Sequence, residues 1–198
     1  MRAGRWRRHD PIRHVSQHLR LRARYAGLLT DSQSVSFLIV AIDDHDLERL
    51  SRCVELARDA LEDGDEPFGS ILVDADGRIR FEDRNRVKDG DHTRHPEFAI
   101  AQWAVTKLSP ADRVAATVYT SGEHCPMCAA AHAWVGLGRI VYATSSEQLT
   151  RWLTEWGAAP PPVAPLPITA VAPRVEVDGP AAEYTDEMKA LYEAKFRP

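Results

Sequence analysis

Two short segments of this chain place metal-seeking and proton-transferring side chains in matching positions. His95-Pro96-Glu97 opens one stretch of helical periodicity, and Cys125-Pro126-Met127-Cys128 opens another. Proline is tolerated at the first helical position because its missing N–H would have no partner there, so both segments read as helix starts. A spacing of three puts the sulfurs of Cys125 and Cys128 on one side of a single turn, within reach of one ion. The positive helix ends favour thiolate over thiol and carboxylate over acid. One imidazole and two thiolates supply three ligands for zinc. A structural zinc site normally closes with four, so three leave a position for water, as a catalytic site requires. Glu97, in the same turn as His95, is placed to take a proton from that water and pass it on.

Neither half is specific alone. A C-x-x-C pair also serves as a redox dithiol or as part of a structural zinc knuckle, and H-x-E by itself says little. Joined at two predicted helix starts, with a strand ahead of the cysteines, they point to one catalytic zinc per chain and its water. A thiol–disulfide enzyme would leave His95 and Glu97 without roles. A non-catalytic zinc scaffold would leave Glu97 without one.

The elements that must position these residues follow from periodicity. Asp43 and Asp44 offer an N-cap to a helix with Leu47, Leu50, Val54, Ala57 and Leu61 on one face, ending near Gly64; Cys53 beside this stripe reads as a small buried hydrophobe. Ser70–Asp74 reads as a strand, Asp76-Gly77 as a hairpin turn, and Ile79 and Phe81 as alternate positions of the return strand. A polar loop from Arg84 to Arg94 precedes the His95 helix, which carries Ile100, Ala101, Ala104, Val105 and Leu108 and closes at Ser109-Pro110. Val114–Thr120 and Arg139–Ala143 read as strands around a helix Pro126–Val135, and Glu147–Trp156 as a short helix. Residues 157–173 form a Pro-rich loop, with Ile168–Val171 as an extended insert and candidate fifth strand. A C-terminal helix is expected over 181–196, with Tyr184, Met188, Leu191, Tyr192 and Phe196 as its stripe. This order describes a three-layer α/β domain with a mixed sheet.

Composition sets the outer limits. The chain has 198 residues, 44% apolar and 27% charged, the mix of a soluble globular protein large enough to bury a core. No apolar run approaches the roughly 20 residues of a membrane span, so no membrane partner is expected. Three cysteines, an odd number, cannot build a secreted disulfide framework, and a cytoplasmic setting is the default. The net charge of −4 is uneven: eight arginines against one aspartate in residues 1–25 give about +7, leaving about −11 for the rest. Residues 1–40 therefore read as a basic, disordered extension, and 41–198 as the catalytic domain. So acidic a body suits a small-molecule ligand, and nucleic acid is not the expected partner.

Together, EPFGSILVDADGRI, Asn85, HPEFAI and TSGEHCPMCAAAHAW make the chain, from Asp46 to Glu147, resemble the cytidine-deaminase-like superfamily, in particular its guanine deaminase and tRNA adenosine deaminase branch. The resemblance implies an α/β/α fold with a five-stranded mixed sheet and a homodimer. It implies zinc ligands at His95, Cys125 and Cys128, a proton shuttle at Glu97, and substrate contacts at Asn85, Trp134 and Phe68. The implied activity is zinc-dependent hydrolytic deamination of a free nucleobase or related amino-heterocycle, of the guanine, cytosine or s-triazine type, with release of ammonia. The alternative is editing of adenosine in tRNA by the same chemistry. Two departures stand out. His124 replaces the proline usual before the first cysteine ligand and is expected as a solvated rim residue. The stretch after the Tyr142 strand differs from the guanine deaminase pattern, with Glu147 or Gln148 as candidates for its acidic recognition residue.

Overall fold

A computed structural model describes residues 42–198; the basic stretch assigned to residues 1–40 lies outside them. The first helix, α1 (Asp44–Glu62), begins as its sequence demands. The Asp43 carboxylate accepts the Asp46 N–H at 2.8 Å, and Asp46 returns the favour to the Asp43 N–H in a capping box. Of its stripe, Leu50, Val54 and Ala57 are buried and Leu47 and Leu61 half-buried, and Cys53 beside it is buried. Strands β1 (Gly69–Val73) and β2 (Ile79–Arg84) form the expected antiparallel hairpin, turned at Gly77 with φ +78°. Then come α2 (Pro96–Lys107), α3 (Pro110–Ala115), β3 (Thr117–Gly122), α4 (Pro126–Val135), β4 (Ile140–Thr144), α5 (Ser146–Trp156), a short α6 (Ile168–Val171) and β5 (Val177–Asp178). A 3₁₀ turn, Ala182–Tyr184, leads into α7 (Thr185–Phe196).

The five strands lie in the order β2-β1-β3-β4-β5, antiparallel as far as β3 and parallel from β3 to β5. Every residue of β1 and β4 is buried, because helices cover both faces and alternation no longer separates core from solvent. Ile71, Val73, Tyr119, Val141 and Ala143 face α1, α5 and α7. Leu72 and Val118 face α2, while Ile140 and Tyr142 pack with Ala129 of α4 and Ile168 of α6. The result is the three-layer α/β/α architecture with a five-stranded mixed sheet.

Three local expectations are corrected. Ser109-Pro110 does stop α2, but Ser109 also caps α3 in a capping box with Asp112, and this takes Val114 and Ala115 out of the strand. Ile168–Val171 is a helical turn, and the fifth strand is Val177–Asp178, paired with Ile140 and Val141. A four-residue apolar run cannot reveal which of the two it is, since either conformation buries it. The C-terminal helix proper begins at Thr185, and its stripe, with Met188 and Tyr192 fully buried, packs on α1, α5 and β4 of its own domain.

Candidate active site

His95 and Cys125 are the N-cap residues of α2 and α4, and neither side chain caps its own helix. They are directed instead at each other. His95 Nδ1 stands 3.7 Å from both Cys125 Sγ and Cys128 Sγ, and the three ligand atoms lie within 4.8 Å of one another. Bond lengths of about 2.0–2.1 Å to nitrogen and 2.3 Å to sulfur put the edges of a tetrahedral zinc site at about 3.5–3.8 Å. The observed separations fit that ion. The charges fit it too. The Cys128 thiol donates to Cys125, holding the Cys125 thiol down to about 4, while the same contact and burial push Cys128 upward. Burial opposes charge on His95, but the bond to Cys125 and the nearby Glu97 outweigh it and raise its pKa to about 9. A divalent cation replaces the protons these three groups otherwise share.

Glu97, in the first turn of α2, is buried beside them, and burial raises its pKa. The Ser70 hydroxyl donates to its Oε1 at 2.8 Å and the Thr120 hydroxyl at 3.0 Å. Ser70 and Thr120 are partners in the β1–β3 register, so the centre of the sheet forms the floor beneath the carboxylate.

Asn85 ends the hairpin, fully buried. Its backbone N–H donates to the Phe68 carbonyl at 2.9 Å, and its Oδ1 accepts the Val87 N–H at 3.1 Å. That bond fixes the amide orientation and leaves Nδ2 as a buried donor without a partner among the described residues. Phe68, half-buried, packs on Tyr192 of α7 with ring centroids 5.3 Å apart. Gly122 lets both rings approach the end of β3: a Cβ there would stand 2.8 Å from Tyr192 Oη and 3.0 Å from Phe68. Thr144 donates to the Ser121 carbonyl at 2.9 Å, so the Tyr192 hydroxyl is the donor in its 3.0 Å bond to Thr144.

The structure does not bring Trp134 or Glu147 to this site. Trp134 is 89% exposed and borders a surface groove with Val114, Gly138 and Arg174. Six residues along a helix turn it about 240° from Cys128. Glu147 is exposed in the first turn of α5 and borders a different cavity, beside Tyr142, Pro165 and Pro167. His124 is likewise corrected: it is 1% exposed, T-stacked on His132 at 5.4 Å, and neither ring nitrogen has a protein partner. Burial holds it neutral, with a pKa well below the usual histidine value.

Sequence reasoning missed Ser70, Thr120 and Glu123. Glu123 accepts the backbone N–H groups of Ser146 and Ile168, each at 2.8 Å, and so anchors the starts of α5 and α6 next to the cysteine segment. Ser70 and Thr120 had one signal: a hydroxyl in an otherwise apolar buried strand needs a partner.

Comparison with known proteins agrees with this geometry. Residues 43–144 match the family model for the cytidine and deoxycytidylate deaminase zinc-binding region. The chain belongs to that family: it is a hydrolytic deaminase acting on C–N bonds, with zinc as its cofactor. It is 33% identical over 144 residues to a probable cytosine deaminase of Schizosaccharomyces pombe, covering 68% of this chain and 88% of that protein. It is 36% identical over 87 residues to a tRNA-specific adenosine deaminase of Agrobacterium fabrum, covering 43% of this chain and 57% of that protein. In fold it is similar to the guanine deaminase of Nitrosomonas europaea, with a TM-score of 0.56, 23% identity and coverage of 74% and 83% of the two chains.

Proposed function

We propose that the protein deaminates a free nucleobase or related amino-heterocycle, with water as co-substrate and ammonia as product. The observation that carries this reading is the enclosure of the site. Asn85 is fully buried and Glu97 and Cys128 nearly or wholly so, with a free amide donor among them, which suits a small planar ring bearing one acceptor. Asn85 Nδ2 donates to that acceptor, and Phe68 offers the ring an apolar face. Zinc, when bound, supplies Lewis acidity that brings the pKa of water towards about 7. Glu97 collects the proton and delivers it to the ring nitrogen beside the amine, which makes the amine-bearing carbon electrophilic. It then takes the second proton of the added water and hands it to the departing amine, so that a carbonyl forms as ammonia leaves. In sum, water gives its oxygen to the ring and ammonia leaves. The similarity to a cytosine deaminase over most of that protein's length supports a free base.

A cytoplasmic setting and a homodimer belong to the same reading. The cysteines are all unpaired, and Trp134 leaves an aromatic surface for a second copy to cover. A second reading, editing of adenosine in tRNA, draws on the similarity to a tRNA-specific adenosine deaminase and on the arginines of residues 1–25. The test is product analysis in ¹⁸O-labelled water. Zinc-loaded protein incubated with cytosine, guanine, adenine or an aminotriazine yields a product whose amine has become a labelled oxygen. Unaltered bases throughout, with zinc bound, reject the proposal.

A further inference from the structure

The carboxylate of Glu97 is held in a way its own helix does not require. Both of its hydroxyl contacts fall on Oε1, and among the described residues no hydroxyl reaches Oε2. The two donors come from strands β1 and β3, 27 and 23 residues away, and meet because Ser70 and Thr120 are register partners on the α2 side of the sheet. Both are completely buried and 2.8 Å from each other, and Thr120 is also 3.0 Å from the Gly122 carbonyl.

From this geometry we infer that Ser70 and Thr120 are positioning residues for Glu97. They pin Oε1 against the sheet and leave Oε2 as the oxygen that exchanges protons. The inference rests on the proposal that Glu97 is the proton shuttle. Hydrogen-bond counting supports it in both halves of the shuttle. When the carboxylate is bare, each hydroxyl gives its single proton to Oε1. When a proton resides on Oε2, Oε1 stays an acceptor and both hydroxyls go on donating to it, at 2.8 and 3.0 Å. No buried donor is stranded in either state, so the side chain has no cause to move while the proton does. A shuttle misplaced by about 1 Å loses on the order of 100-fold in rate, so such pinning acts on kcat.

The test deletes one hydroxyl at a time, with cytosine, guanine and adenine as probes. Ser70→Ala adds no volume and Thr120→Val keeps the branched shape, while Thr120→Ser restores the donor. Each deletion is expected to lower kcat about 10- to 100-fold with KM changed less than about 3-fold, at unchanged zinc content, and Thr120→Ser to recover most of it. The ¹³C carboxyl resonance of Glu97, identified by its disappearance in Glu97→Gln, is expected to shift in both deletion variants. Wild-type kcat and an unmoved resonance in Ser70→Ala and Thr120→Val, with Glu97→Gln inactive, overturn this inference alone. An active Glu97→Gln, or no turnover of any probe by the unaltered protein, overturns the reading beneath it.

Discussion

Glu97 and its three metal-binding neighbours meet at one point because two helices start there. His95 and Cys125 occupy N-cap positions, and the prolines after them leave their side chains free for the ion. Glu97→Gln keeps the shape of the side chain and the ligand set but cannot carry a proton. It is expected to retain stoichiometric zinc and lose kcat by about 10³-fold or more, as read by metal analysis and ammonia release on the same sample. On the proposed function, Asn85→Ala removes the buried amide donor that meets the substrate ring. A lost buried hydrogen bond costs about 1–3 kcal/mol, so kcat/KM is expected to fall about 10- to 100-fold. An unchanged kcat/KM would remove Asn85 from the site. The cysteine pair was legible in the sequence because its spacing is local, three residues within one turn, whereas Asn85 was marked only by the family resemblance. Ser70 and Thr120 were not, because they meet only through strand register across 50 residues. Trp134 was not either, because six residues along α4 turn it about 240° from Cys128 and leave it exposed.

Among the elements, α1 is bound to the parallel edge of the sheet by one half-buried charge cluster. Arg139, leading into β4, donates to both Asp46 oxygens at 2.9 Å and to Asp178 of β5 at 2.6 Å, while Tyr119 of β3 donates to Asp46 at 2.9 Å. Burial alone would raise the Asp46 pKa, but the bonds from Arg139 and Tyr119 outweigh it and hold it below the ordinary 3.8. A depressed carboxylate contributes stability that is complete above its unfolded pKa and lost as pH falls through its folded one. Asp46→Asn is therefore expected to cost roughly 2–4 kcal/mol near neutral pH, since it leaves Arg139 without its bidentate partner. The gap in thermal midpoint between variant and wild type is expected to narrow as the pH is lowered from 5 to 2; a gap constant over that range would refute the role assigned to the cluster. Most elements were legible because their periods were: the α1 stripe, the hairpin with its Asp76-Gly77 turn, and the two proline-led helices. The 168–171 turn was not, because its conformation follows from a contact that no local pattern carries, the Glu123 carboxylate receiving the Ile168 N–H.

At the scale of the whole molecule, charge separates the two readings of the substrate. The chain outside residues 1–25 carries a net charge of about −11, which repels a phosphate backbone and is indifferent to a neutral base. None of the described helices is long and apolar enough to cross a membrane. The most direct test is ammonia release by zinc-loaded full-length protein, from a panel of free bases and from tRNA in parallel, at low and at high salt. The account predicts release from at least one free base at a rate nearly independent of salt, with little from tRNA. Release confined to tRNA and falling steeply with salt would contradict it and give the arginine-rich stretch its role.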